Sequence, residues 1–205
     1  MNNQQNLYTA NSDVLHLLQH AKKIGWLSIK EQTVQRVTYL AKVLYLFCHR
    51  GEDVFDCFRF SVTLYGPHSE LINRSLKFLR SSGYIEIVDG TIELIRINNI
   101  NPMLESKDSD SRSRWIEFIV YILGKYGEPR VFGFSINDPL YLRAVESNLH
   151  RELDAGSPEN YTILFLNSFR QAFEETLEKD KISSLSSEDY LDLYFEYVFS
   201  KIISK

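Results

Sequence analysis

Apolar and polar positions recur along this chain in two rhythms, and the changes of rhythm mark out its elements. In "DVLHLLQHAKKI", Val14, Leu15, Leu18 and Ala21 recur three and four apart, the stripe of an amphipathic helix, with Ser12 placed to cap it and Gly25 to stop it. "EQTVQRVTYLAKVLYLFCHR" keeps that period but turns apolar on most sides at Tyr39, Leu40, Val43, Leu44, Leu46 and Phe47, which predicts a buried central helix ending before Gly51. "CFRFSVTL" is short and rich in Phe, Val and Thr, an extended segment that leads into a turn at Tyr65-Gly66-Pro67. Pro67 suits the position at or just before a helix start, and "HSELINRSLKFLRSSG" is that helix, with Gly83 as its stop. Leu71, Ile72, Ser75, Leu76, Phe78 and Leu79 share one face of it, and Asn73, Arg74, Lys77 and Arg80 share the other. "YIEIV-DG-TIELI" then switches to period two about Asp89-Gly90, a hairpin signal because a type I′ turn needs positive φ at both central residues.

Residues 98–114, "NNINPMLESKDSDSRSR", are polar and without period, and read as a linker. Helical patterns follow in "RWIEFIVYILGKYG", "DPLYLRAVESNLHREL", "PENYTILFLNSFRQAFEETLEKDK" and "SEDYLDLYFEYVFSKII", with Pro139 and Pro158 near helix starts. Between the first two lies a Gly/Pro-rich loop, residues 124–139. The last helix is apolar around most of its circumference. It either inserts between other helices or packs on a partner, and the second alternative makes Tyr190, Tyr194, Phe195, Tyr197, Val198, Phe199 and Ile202 partner-binding candidates. The expected organisation is a flexible tail over 1–11, a domain over 12–97, the linker over 98–114 and a helical domain over 115–205, α+β in class and mostly α.

The order helix, helix, extended segment, turn, amphipathic helix, β-hairpin is that of a winged helix. On such a scaffold Ser69, Asn73 and Arg74 near the start of the third helix approach base edges of double-stranded DNA. Lys77 and Arg80 reach phosphates, and the hairpin rests on the backbone as the wing. Two facts weigh against DNA. Every amphipathic surface helix has a charged face, and this wing carries Glu86, Asp89 and Glu93 against Arg96 alone. The charge pattern therefore favours a winged helix used chiefly for protein contact.

A chain of 205 residues with 44% hydrophobic content can bury a real core, and no run reaches the ~18 apolar residues of a membrane span. The polar, uncharged "MNNQQNLYTANS" lacks the features of a secretory signal, and two cysteines are too few for a disulfide scaffold, so a reduced, cytoplasmic protein is expected. The net charge of −4 argues against a general nucleic-acid coat, which would be strongly basic. The halves differ, however: residues 1–100 hold 11 Lys/Arg against 9 Asp/Glu (+2), and residues 101–205 hold 12 against 18 (−6), so any DNA contact belongs to the first half. His16 and His20 have the i, i+4 spacing of zinc ligands, but Leu17 follows His16 where a metalloprotease has its glutamate, so no metal is assigned. Phosphate-loop and nucleophile-elbow motifs are likewise lacking, and neither an enzyme nor a cofactor is expected.

Two resemblances bear on function. Lys42-Val43-Leu44-Tyr45 and Gly66-Pro67 resemble the "K-L-L-Y" helix and "G-P" turn of Panacea-like antitoxin domains, a likeness that stops at about residue 97. In size, in the "Y-G-P-x-S" turn from Tyr65 to Ser69, and in a helical half after a winged-helix half, the chain also resembles the small middle component of ABC-three-component systems, including the accessory subunit of Lamassu-type antiphage defence. The second likeness covers more of the chain. It implies a non-catalytic adaptor that bridges an SMC-like ATPase subunit and an effector subunit, comparable with the winged-helix subunits of bacterial condensins. The alternative is a free-standing DNA-binding regulator or antitoxin, for which a homodimer is the natural form.

Overall fold

The computed structural model describes residues 3–26, 28–49, 52–96, 109–136, 142–143, 151–153 and 161–202. The class is α+β, mostly α, with small antiparallel strand pairs. Helix α1 runs over Asn3–Lys23, earlier than the Ser12 cap predicted, and Thr9, Ala10 and Asn11 are buried in it. Ser12 thus lies inside the helix, and residues 3–11 are not a tail. The apolar period continues backwards from Val14 through Ala10 to Leu7, and this outweighs the low helix propensity of the flanking asparagines. At the other end Gly25 adopts φ 81°, and the Trp26 N–H reaches the Ala21 carbonyl at 2.9 Å, a Schellman stop.

Helix α2, Glu31–Cys48, is the central helix. Val37, Tyr39, Leu40, Ala41, Val43, Leu44 and Phe47 are all buried, in contact with both halves of the chain. Its one buried cation, Lys42, holds the following loop: Nζ donates to the Phe55 carbonyl at 3.1 Å and the Phe58 carbonyl at 2.8 Å, and pairs with Asp53 at 2.9 Å. Strand β1 (Phe60–Thr63) and strand β2 (Gly66–His68) form a hairpin about Leu64-Tyr65, so Pro67 is a strand residue facing Val62, one step earlier than the helix start expected of it. Helix α3 spans Glu70–Ser81 after Ser69 at its N-cap. Strands β3 (Ile85–Val88) and β4 (Thr91–Leu94) make the predicted hairpin, with Asp89 at φ 49° and Gly90 at φ 76°. The chain just before α2 lies along that hairpin through a Lys30–Thr91 bridge and an Ile92 N–H bond to the Ile29 carbonyl at 2.7 Å.

Helix α4 covers Ser109–Tyr126, so residues 109–114 are helical, not linker, and Arg112 is buried; residues 98–108 lie outside the described residues. Helix α5, Glu128–Ser135, occupies the stretch expected to be a Gly/Pro-rich loop. Strand β5, Arg151–Leu153, pairs with β1 to give the order β2-β1-β5, where a helix end was predicted. The sheet thereby ties the second half of the chain to the first. Helix α6, Tyr161–Glu174, ends well before the predicted Lys181 and is followed by the short α7, Lys179–Ile182. Helix α8, Ser187–Tyr197, continues as a π-helical turn over Val198–Ile202. Gly51, Pro139 and Pro158 lie outside the described residues.

One apolar core joins both halves. Trp115 of α4 donates its indole N–H to the Ala41 carbonyl of α2 at 2.8 Å, and the Tyr194 hydroxyl of α8 donates to the Leu166 carbonyl of α6 at 2.8 Å. The ranges 12–97 and 115–205 therefore share their interior. Asp13 of α1 and Arg112 of α4 form a buried ion pair within it, the guanidinium lying over the Phe55 ring and 3.7 Å from Cys57 Sγ.

Candidate nucleic-acid interface

Helix α3 is held from below at three places. Ile72, Leu76 and Leu79 are buried against α1 and α2, as their spacing predicts. At the start, the Gln35 side chain of α2 grips the N-cap residue from both sides. Its Oε1 accepts from the Ser69 N–H at 2.7 Å, and its Nε2 donates to the Ser69 carbonyl at 3.2 Å and to Asn73 Oδ1 at 2.9 Å. At the end, Gly83 takes φ 73° and the Tyr84 N–H reaches the Leu79 carbonyl at 2.9 Å. Gln35 carries no motif. Its only sequence signal is an amide at a position that the helical period of α2 assigns to the core.

These constraints sort the five DNA-contact candidates. Arg74, Lys77 and Arg80 are exposed on the outer face, without a salt-bridge partner among the described residues. They step along about 9 Å of helix axis and fan over about 120° of its circumference. Asn73 is half-buried and occupied: besides the bond from Gln35, its Nδ2 lies 3.3 Å from His68 Nε2 and 3.5 Å from Glu70 Oε2. Ser69 is 1% exposed, with its backbone N–H and carbonyl held by Gln35, so its side chain does not reach out to a base edge. Burial of the helix start turns Ser69 away from the base edge expected of it and leaves the three cations as the usable set on the outer face.

Two more arginines flank them. Arg59, just before β1, is exposed, and Arg96 rests its guanidinium carbon 3.8 Å from where a side chain at Gly83 would begin. The hairpin is acidic as read from sequence: Glu86 and Glu93 face each other across the strands, both exposed, with Asp89 at the tip. Like charges directly opposite repel, and together they repel phosphate. The positive surface is thus α3 and its margins, and the hairpin is not part of it.

The terminal helix offers less to a partner than predicted. Tyr194, Phe195, Val198 and Phe199 are buried, Tyr190 and Tyr197 are half-buried, and the Ile202 side chain lies outside the described residues. Phe47, Phe134 and Phe173 close over them, with Tyr194 5.1 Å from Phe47 and Phe199 5.8 Å from Phe134 by ring centroids. Arg170 stacks on Phe47 at 4.1 Å and Arg130 on Phe199 at 4.5 Å. Of the two readings of that helix, insertion into the core is the observed one.

Other chemistry is sparse. His16 Nε2 lies 2.9 Å and His20 Nδ1 3.9 Å from Glu117 Oε1, linking α1 to α4. Among the described residues no group of three or more His, Cys, Asp or Glu is arranged to hold a metal ion. Burial pushes the Cys48 thiol up to about 12 and the Cys57 thiol up to about 11, so neither is a ready nucleophile at neutral pH. No helix among the described residues is long and apolar enough to cross a membrane. Compared with protein-family models, curated proteins and solved structures, the chain has no match in any of the three.

Proposed function

We propose that this chain is a non-catalytic winged-helix protein that lays the outer face of α3 against the backbone of duplex DNA. The observation that carries the reading is the trio Arg74, Lys77 and Arg80, exposed and without ion-pair partners among the described residues, on a helix whose inner face is fixed by the core and by Gln35. The winged-helix assignment is supported by the order α1, α2, α3 and β3–β4 hairpin, and by the segment before α2 that bridges to β4 as a third extended strand would. The inserted β1–β2 hairpin and its pairing with β5 are departures from the minimal scheme.

Because Ser69 is buried and Asn73 is engaged by Gln35, neither reaches a base edge and the contacts go to phosphates, which set position and not sequence. Three neutralised phosphates give a slope of log K against log salt of about −2.7, or steeper with flanking arginines, and roughly 40-fold weaker binding at 200 mM than at 50 mM salt. Fluorescence anisotropy of a labelled duplex measures both. Binding that survives Arg74→Ala/Lys77→Ala/Arg80→Ala, or is indifferent to salt, refutes the proposal.

A second reading, the adaptor that bridges an SMC-like ATPase and an effector, rests on the sequence resemblance. It is favoured by the acidic wing and by the hairpin tip, where Leu64 is 52% and Tyr65 is 72% exposed. The aromatic terminal helix, largely buried in the core, lends it no support. Co-expression with a neighbouring subunit followed by mass determination tests it; a homodimer that prefers its own operator would instead identify a free-standing regulator.

A further inference from the structure

The N-terminus of α3 opens into a cleft of about 230 Å³ walled by Asn6 of α1, Cys57 and Arg59 ahead of β1, and Ser69, Glu70 and Arg74. Several unused donors meet there. The N–H groups of Glu70 and Leu71 are the first two of the helix and have no intrahelical acceptor. Ser69 stands at the N-cap, where a serine hydroxyl ordinarily accepts from the first turn. Here it makes no capping bond, and its buried Oγ has no partner among the described residues. Arg59 and Arg74 bring two exposed guanidinium groups without salt-bridge partners among the described residues. The helix macrodipole adds partial positive charge at the same end. Cys57, raised by burial to about 11, stays a neutral thiol. The one anion, Glu70, has its Oε2 3.5 Å from Asn73 Nδ2 and 3.9 Å from His68 Nε2, which draw it aside.

Free backbone N–H groups, a spare hydroxyl and paired guanidinium groups at a helix start are the chemistry of phosphate binding. We propose that this cleft holds one phosphoryl group of the DNA backbone, gripped by the Ser69 hydroxyl, the Glu70 and Leu71 N–H groups, and the guanidinium groups of Arg59 and Arg74. The inference rests on the reading of α3 as the DNA-facing helix. It adds Arg59, which lies outside that helix, and gives the unpartnered Ser69 hydroxyl a use.

The test uses the full chain labelled with ¹⁵N, titrated with inorganic phosphate against sodium chloride of equal ionic strength, alongside anisotropy with duplex DNA. Phosphate is expected to move the Glu70 and Leu71 amide signals saturably in the wild type and not in Arg59→Ala. Arg59→Ala, a change at an exposed side chain, is expected to leave the melting temperature unchanged, to weaken duplex binding about tenfold and to make its salt slope shallower by about 0.9. Ser69→Ala should weaken both ligands, and Glu70→Gln should strengthen both. If duplex binding is lost in Lys77→Ala/Arg80→Ala but untouched in Arg59→Ala and Ser69→Ala, the cleft is refuted and the α3 reading stands. If phosphate moves the amides but duplex DNA does not bind, the DNA backbone is overturned as the source, and a free phosphate ester takes its place. If phosphate moves neither amide, the site itself is overturned.

Discussion

Replacing Arg112 with methionine is a severe test of the core, because it leaves Asp13 facing a buried space without its counter-charge. Both side chains are nearly sealed, at 6% exposure for Arg112 and 7% for Asp13. Burial already raises the Asp13 carboxyl from 3.8 to about 6, with Arg112 pulling the other way. A folded-state value above the unfolded one means that the native protein binds the extra proton. This group therefore favours the fold most below about pH 4, and that contribution falls as pH rises to about 6, by about 3 kcal/mol for a shift of this size. Removing Arg112 takes away the attraction and drives the carboxyl higher still. Breaking such a buried pair costs about 3–5 kcal/mol at pH 7.5. At pH 5 the carboxyl takes up a proton instead, and the cost should fall to about half. Urea denaturation followed by the fluorescence of buried Trp115 gives both numbers. The double change Asp13→Leu/Arg112→Met should recover most of the loss, since an apolar pair leaves no orphaned charge. A cost under about 1 kcal/mol at pH 7.5, or one that is equal at pH 5, would refute the account of a sealed ion pair.

Two further expectations follow from packing. Gln35→Ala removes three hydrogen bonds and leaves the Ser69 N–H unsatisfied, a loss of about 2–4 kcal/mol that chemical denaturation would detect. It should also weaken duplex DNA binding without altering any cation, because α3 loses its anchor. Phe195→Ala should cost about 3–5 kcal/mol in the isolated chain, whereas a docking residue would lower partner affinity and leave the melting temperature almost unchanged.

The legible parts of this fold were those fixed by short-range rules. The Asp89-Gly90 turn, the stops at Gly25 and Gly83 and the leucine face of α3 follow from local backbone preference and a 3.6-residue period, and the structure has each of them. What was hidden depends on residues far apart in sequence. Arg112 sits in a polar stretch, and its burial is made tolerable by Asp13 on another helix and by Phe55 and Cys57 far from it in sequence. Strand β5 has little strand character of its own and exists because β1 offers an edge. The aromatic terminal helix had two readings because its partner Phe47 lies on a distant helix that no local window includes. At the candidate site the cations were visible as a charged face. The withdrawal of Ser69 and Asn73 from the outer face was not, since it depends on burial of the helix start and on one glutamine from α2.

The union of both halves around α2 has a consequence for synthesis on the ribosome. Phe47 emerges long before Tyr190 and Tyr194, the rings that cover it, and at ordinary elongation rates the interval is roughly 7–30 s. Throughout that time α1, α3 and the β3–β4 hairpin can settle on one side of α2, while its other side waits uncovered. The nascent chain therefore passes through a state in which the basic helix is already displayed but the apolar back of the central helix is open. Such a state exposes apolar surface and is open to aggregation until the C-terminal helices arrive.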